Sequence, residues 1–127
     1  VPNQDPDDIV AKLRRHLTER GYGDIEVTKH SMESPVRSPA DSAIATAAVQ
    51  AAREVYAQQP PAVAPMMIGT GPMHHIAGTL GIPTVSPAGV CRPESLIHAP
   101  NENVRIEDFL RTIEYTIAWI GAVAEIA

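Results

Sequence analysis

The sequence has few of the residues that mark several common protein classes. Of its 127 residues a single one is cysteine, Cys91, which excludes an internal disulfide framework and suits a reducing compartment. Lysine and arginine number 10 against 15 aspartates and glutamates, so no basic surface for nucleic acid is indicated. The longest apolar run lies within residues 117–127 and is too short to span a bilayer, and no signal peptide is recognisable. We therefore expect a cytoplasmic protein that binds neither nucleic acid nor membrane.

Aromatic residues are also scarce, at 4% of the chain, whereas the apolar fraction of 44% is ordinary for a globular protein. Large rings supply much of the buried area in a small core. The core is therefore expected to rely on aliphatic side chains or on polypeptide outside these residues. The chain also begins at Val1 rather than at methionine. Together these features predict a piece of a longer protein.

The first thirty residues predict one helix and then one strand. Asp5 can cap the helix and Pro6 suits its first position, while Gly21 and Gly23 are expected to end it. Apolar and polar residues alternate over 25–29, which is typical of a strand with one buried face. An isolated strand needs partners, so this pair cannot form a complete sheet.

Turn-rich residues 31–39 separate that pair from a second pattern. Ser38 is expected to cap an alanine-rich helix, and short strands are predicted at 64–68 and 82–85 with a short helix between them. This order favours a parallel pair in an α/β sheet. A last helix is predicted from Glu107 onward. Its expected inner face consists of Phe109, Leu110, Ile113, Ile117, Ile120 and Ala124.

Two features of the middle of the chain suit an anionic ligand. The segment Gly69-Thr70-Gly71 follows a predicted strand and precedes a helix, so its backbone and helical N–H groups can approach an anion. It matches neither the dinucleotide fingerprint nor the P-loop lysine motif, and a plain tight turn is an equal alternative. Arg37 on the connector can bind a substrate carboxylate, although a surface arginine is equally compatible with the sequence.

His98 begins a polar loop directly before the last helix. Such a loop offers a histidine little to pack against, which favours coordination or substrate contact, with a surface histidine as the alternative. Asn101 and Glu102 either support that role or only hydrogen-bond the loop backbone. The neighbouring pair His74-His75 is a weaker metal candidate, because adjacent helical side chains point about 100° apart.

Four stretches occur in a distinctive order along nearly the whole chain. They are Val-Pro-Asn-Gln-Asp-Pro, Pro-Val-Arg-Ser-Pro-Ala-Asp, Gly-Thr-Gly-Pro-Met and His-Ala-Pro-Asn-Glu-Asn-Val. This series resembles the C-terminal part of the dizinc exopeptidase and deacylase family. That family includes acetylornithine deacetylase, succinyl-diaminopimelate desuccinylase, glutamate carboxypeptidase and carnosinase. The His-Ala-Pro-Asn-Glu block is its most specific element.

The resemblance implies a fold and a set of site residues. Residues 1–31 would be the last helix and strand of a ferredoxin-like lid or dimerisation domain, and residues 32–127 the C-terminal half of a zinc-peptidase α/β catalytic domain. His98 would be a zinc ligand, with two zincs per full-length chain and cobalt or manganese as alternatives. The residues that brace the loop of this ligand would be Asn101 and Glu102, and the residues that bind the substrate would be Gly69, Thr70, Gly71 and Arg37.

The resemblance also implies an activity. The full-length parent would cleave an amide bond of a dipeptide or an N-acyl amino acid with a metal-activated water. The family's other ligands and its glutamate base belong to the N-terminal half, so this chain would contain no catalytic residue and would be inactive alone. We expect a homodimer or a strand-exchanged assembly. The alternatives are a non-enzymatic dimerisation module and a small-anion-binding module.

Overall fold

The computed structural model describes residues 3–59, 61–66, 69, 71–87 and 89–126. These residues form three α-helices: α1 (Pro6–Glu19), α2 (Ala43–Val55) and α3 (Ile106–Ala124). A π-helical turn spans His74–Gly78 and a 3-10 turn spans Pro93–Ser95. The chain divides into two compact units: Val1–Ser38 with Met66–Thr84, and Pro39–Pro65 with Val85–Ala127. Within the described residues, no helix is long and apolar enough to cross a membrane.

Helix α1 of the first unit confirms the predicted start and stop signals. The Asp5 carboxylate accepts hydrogen bonds from the N–H groups of Asp7 (2.8 Å) and Asp8 (3.3 Å), and Pro6 takes the first helical position. After the helix ends at Glu19, Gly21 adopts a φ of 82°. Glycine enters this left-handed region without steric cost, so the chain can turn sharply there.

The predicted strand at residues 25–29 is wrong for the described structure. Side chains of α1 hold this segment instead: Arg14 donates to the Val27 carbonyl at 2.9 Å, and Lys29 lies 2.8 Å from the Asp7 carboxylate. A strand exists only when a neighbouring strand completes its hydrogen bonds. The described part of the chain supplies no such neighbour.

The strands predicted at 82–85 and 64–68 do not form either. The Thr84 N–H donates to the Ser38 hydroxyl at 2.8 Å rather than to a strand. Residues 64–66 are not in a strand, and residues 67 and 68 lie outside the described residues. The α/β architecture with a ferredoxin-like lid is therefore not confirmed by the described residues.

The short helix predicted between those segments is present as a π-helical turn. A Cβ atom at Gly78 would lie 2.7 Å from His74 Nδ1, so a larger residue there would require the His74 ring to shift. Gly81 then adopts a φ of 67° and ends the helical segment, as its position predicts.

In the second unit, α2 packs against α3. The alanine side chains of α2 make this approach possible, and Tyr115 of α3 packs against Ala51 and Ala52 with 2% of its surface exposed. The Tyr115 ring lies 6.0 Å from the Tyr56 ring and 6.2 Å from the Trp119 ring, measured between centroids. Among the described residues, the buried apolar core consists of Tyr115 and five alanines, Ala45, Ala47, Ala48, Ala51 and Ala52.

Two sequence predictions about these helices need correction. Helix α2 begins at Ala43 rather than beside Ser38, because residues 39–42 form a turn in which the Ser42 N–H bonds the Pro39 carbonyl. The predicted inner face of α3 is exposed, because the ring of Tyr115, on another side of the helix, packs on the flat alanine surface of α2. The exposed residues are Phe109, Leu110, Ile113, Ile117, Ile120 and Ala124.

We expect Tyr115→Ala to lower the free energy of unfolding by about 3–5 kcal/mol, the usual cost of removing a buried aromatic ring. Phe109→Ala is the matched control, because Phe109 is an aromatic residue of the same helix with 53% of its surface exposed. It should cost less than about 1 kcal/mol. Urea denaturation of this chain checks both values, and equal losses would contradict the packing described here.

Candidate functional site

The segment from Arg92 to Arg105, which we call the His98 loop, leads into α3 and is closed at its base. A 3-10 turn over Pro93–Ser95 begins it, and Ser95 is buried with 5% of its surface exposed. The Ser95 hydroxyl accepts from the Arg92 N–H at 3.1 Å, and the Ser95 N–H donates to the Arg92 carbonyl at 3.0 Å. These two reciprocal bonds fix the entry to the loop.

Asn103 closes the other end of the loop. Its backbone N–H donates to the Ser95 carbonyl at 3.0 Å. Its side-chain Nδ2 donates to two carbonyls, those of Glu94 at 3.1 Å and Asn101 at 3.0 Å. One residue therefore joins the start, the tip and the end of the loop.

An ion pair attaches the start of the loop to α3. Arg92 donates through Nε and Nη2 to the two carboxylate oxygens of Asp108, at 2.5 and 2.7 Å. Asp108 lies in the first turn of α3, where the helix dipole also favours a negative charge. The hydrogen bond from Arg92 lowers the pKa of Asp108 below its ordinary value, and the same bond raises the pKa of Arg92.

His98 lies at the tip of this loop and is exposed. Its φ is 61°, and Leu96 and Asn101 also have positive φ values of 52° and 66°. Three non-glycine residues in the left-handed region within six positions are unusual, because such a conformation is costly without surrounding support. The Ala99 N–H bonds the Leu96 carbonyl and the Glu102 N–H bonds the Ala99 carbonyl, which makes the tip a series of tight turns.

The residues expected to support His98 form hydrogen bonds in the loop only through their backbone, whereas Asn103 also uses its side chain. Asn101 contributes its backbone carbonyl and Glu102 its backbone N–H. Within the described structure, neither side chain makes a hydrogen bond. Their role beside a bound metal stays a prediction. Asn103 was missed because side-chain bonds to distant carbonyls leave no periodic or spacing signal in a sequence.

The described residues do not form a complete metal site. They contain no group of three or more histidine, cysteine, aspartate or glutamate side chains placed to hold a metal ion. A catalytic zinc site uses three protein ligands and leaves one position open. His98 is chemically suited to supply one of those ligands, and the described residues do not supply the others.

The predicted substrate-binding residues belong to the first unit, whereas His98 belongs to the second. Arg37 is exposed, and among the described residues its guanidinium has no ion-pair partner. Gly69 is exposed and Gly71 half-buried, while Thr70 lies outside the described residues. The π-helical turn that follows is only five residues long, and the His75 N–H already bonds the Pro72 carbonyl at 3.1 Å. The Gly69-Thr70-Gly71 segment therefore precedes a short helical segment, as expected, and its role in binding an anion stays a prediction.

Of the weaker candidates, His75 is exposed, whereas His74 is half-buried. The His75 side chain is 70% exposed, with Nε2 lying 3.5 Å from the Glu33 carboxylate. His74 packs against its own turn, as described above. Cys91 is exposed and not part of a disulfide. Among the described residues, no metal-binding group includes any of them.

Comparison with known proteins gives the class of the chain. The model of the peptidase family M20/M25/M40 matches residues 3–121, and the chain belongs to this family. Its members are metallopeptidases, hydrolases that typically bind metal ions. The family expected from the ordered sequence stretches is thereby confirmed.

The comparison with solved structures is more particular. A crystal structure of an M20 family metallo-carboxypeptidase from Sulfolobus solfataricus is 38% identical to the chain and superposes with a TM-score of 0.79. The match covers 94% of this chain and 27% of that one. This chain therefore spans about a quarter of the length of that carboxypeptidase. No curated protein matches the chain.

We expect the Arg92–Asp108 pair to stabilise the second unit only while Asp108 is ionised. The pKa of Asp108 is lower in the folded than in the unfolded chain. Its contribution is therefore present above the ordinary aspartate pKa of about 3.9 and is lost as the pH falls through the lowered value. Urea denaturation of the unchanged chain and of Asp108→Asn from neutral to acidic pH measures the difference. A difference that persists unchanged at the acid end would contradict the pairing.

Proposed function

We propose that this chain is part of a zinc-dependent metallo-exopeptidase or deacylase that hydrolyses an amide bond of a dipeptide or an N-acyl amino acid. The observation that carries the proposal is the family match over residues 3–121, within which His98 lies exposed at the tip of a hydrogen-bonded loop. Bound zinc supplies Lewis-acid polarisation of a carbonyl group and lowers the pKa of water.

In this proposal His98 contributes one neutral imidazole to the metal. The other ligands and the general base come from polypeptide outside this chain, and the chain alone is inactive. Two observations support this division. The described residues contain no cluster of metal-binding side chains, and the chain spans 27% of the length of the matched carboxypeptidase.

The chain's own residues also suit recognition of the substrate. The exposed guanidinium of Arg37 can form a paired hydrogen bond with a carboxylate, the group shared by dipeptides and N-acyl amino acids. The Gly69-Thr70-Gly71 segment allows a ligand to approach the backbone closely, because two of its three residues have no side chain. We propose both as substrate-binding elements.

We further propose the α/β organisation implied by the resemblance. Residues 1–31 would complete a lid domain and residues 32–127 a catalytic domain once the remaining strands are present. Segments 25–29 and 82–85 would then pair with strands that the described residues lack. The exposed Ile9 and Leu13 of α1 support this, since a sheet packed on α1 would cover them.

Association with a second copy, as a homodimer or by strand exchange, is also proposed. It is supported by the 25–29 segment, which pairs with no strand among the described residues, and by exposed apolar side chains of the same unit. The scarcity of cysteine supports a cytoplasmic location. Light scattering of the intact protein measures its mass, and a monomer at all concentrations would contradict the association.

The substitution His98→Ala in the intact protein tests the proposed function. We expect kcat/KM for a dipeptide or N-acyl amino acid to fall by more than about 100-fold, with less bound zinc per chain, because a direct ligand is lost. His16→Ala is the matched control, since His16 is an exposed histidine of α1 and should leave both values unchanged.

Activity assays and elemental analysis of the two variants decide the matter. Full activity and full zinc content in His98→Ala would contradict the ligand assignment. An intact protein that binds no metal and hydrolyses no amide would contradict the proposed function itself. Turnover by these 127 residues alone would contradict the division of the site between this chain and other polypeptide.

A further inference from the structure

We infer that Asn103 is the positioning residue that holds His98 in its left-handed conformation, and that it acts through the backbone of the His98 loop. This inference rests on the proposed function, in which His98 is a metal ligand. It differs from the expectation drawn from the sequence resemblance, which gave the supporting role to Asn101 and Glu102.

The Asn103 side chain bonds the loop backbone on both sides of His98. The Asn103 amide has two N–H groups, and it uses them on two carbonyls that lie on opposite sides of His98 in the chain, those of Glu94 and Asn101. Its backbone N–H also closes the loop onto Ser95. The carbonyl positions before and after His98 are therefore both set by one side chain.

The backbone conformation at the tip of the loop is energetically costly. Leu96, His98 and Asn101 all have positive φ values, and a histidine or leucine in this region is disfavoured relative to an ordinary backbone conformation. Such residues persist only where the surrounding structure holds them. The bonds of Asn103 and the buried Ser95 provide that support. Without them the tip is expected to relax and His98 to lose its fixed direction.

The neighbouring residues Asn101 and Glu102 do not fix the loop backbone through their side chains as Asn103 does. The Asn101 and Glu102 side chains make no hydrogen bond within the described structure, so changing them leaves the loop contacts intact. A metal ligand must be held in a fixed direction, because reorienting it on binding reduces affinity. The residue that fixes the backbone of His98 therefore affects metal binding without contacting the metal.

The test compares Asn103→Ala with Glu94→Ala in the intact protein. Each change truncates an exposed polar side chain of the same loop, and the backbone carbonyl of Glu94 is kept. Only Asn103→Ala removes side-chain donors that are used in the structure. His98→Ala is measured beside them to report the loss of the ligand itself.

Two readouts are needed, and the first does not depend on metal. Hydrogen–deuterium exchange of peptides covering 92–105 is measured in the metal-free protein. We expect exchange to rise by about tenfold or more in Asn103→Ala and to stay unchanged in Glu94→Ala. Competition between the protein and a chelator for zinc is the second readout. Zinc affinity should fall by about 10–100-fold in Asn103→Ala and by less than about threefold in Glu94→Ala.

The outcomes distinguish this inference from the proposed function. Equal exchange or equal zinc affinity in the Asn103 and Glu94 variants, with zinc lost in His98→Ala, overturns the role of Asn103 alone. Zinc retained by His98→Ala overturns the ligand assignment and this inference together. If Asn103→Ala does not fold, Asn103→Asp removes the same donors while keeping the shape of the side chain and carries the same expectations.

Discussion

The packing of the Tyr115 ring on the alanine surface of α2 is the contact on which the second unit depends. This packing holds α3 against Ala51 and Ala52. Tyr115 is the only large side chain that is buried among the described residues. Asp108 lies two turns before Tyr115 on the same helix, so its position follows from this packing. Through Asp108 and Arg92 the placement of α3 determines where the His98 loop begins.

The start and the end of α1 are predicted correctly by signals in the local sequence. The Asp5 cap, Pro6 and Gly21 each act within one or two turns of the chain, and α1 begins and ends where they predict. The face that α3 buries could not be read in this way. Helix α3 is apolar on more than one side, and its buried side depends on which surface α2 presents. The apolar periodicity of α3 predicted that Phe109 and the large aliphatic residues are buried. The small alanines of α2 instead pack against the flat ring of Tyr115.

The predicted strands failed for a different reason. A strand's hydrogen bonds lie between segments, and the pattern of residues 25–29 describes only one of the two partners. Within the described residues the pattern remains while the partner is missing, and side chains of α1 bond this segment instead. The match covers 94% of this chain and 27% of the carboxypeptidase, so most of that carboxypeptidase has no counterpart among these residues.

The candidate site shows the same division between local and distant information. The motif located His98, because the order of residues around it is distinctive. It did not locate Asn103, whose side chain bonds carbonyls two and nine residues away. A loop that holds three non-glycine residues at positive φ needs such bonds, since no regular element supports its backbone. The proposal of His98 as a ligand thus comes from the sequence, whereas the direction of its side chain depends on a contact visible only in the folded loop.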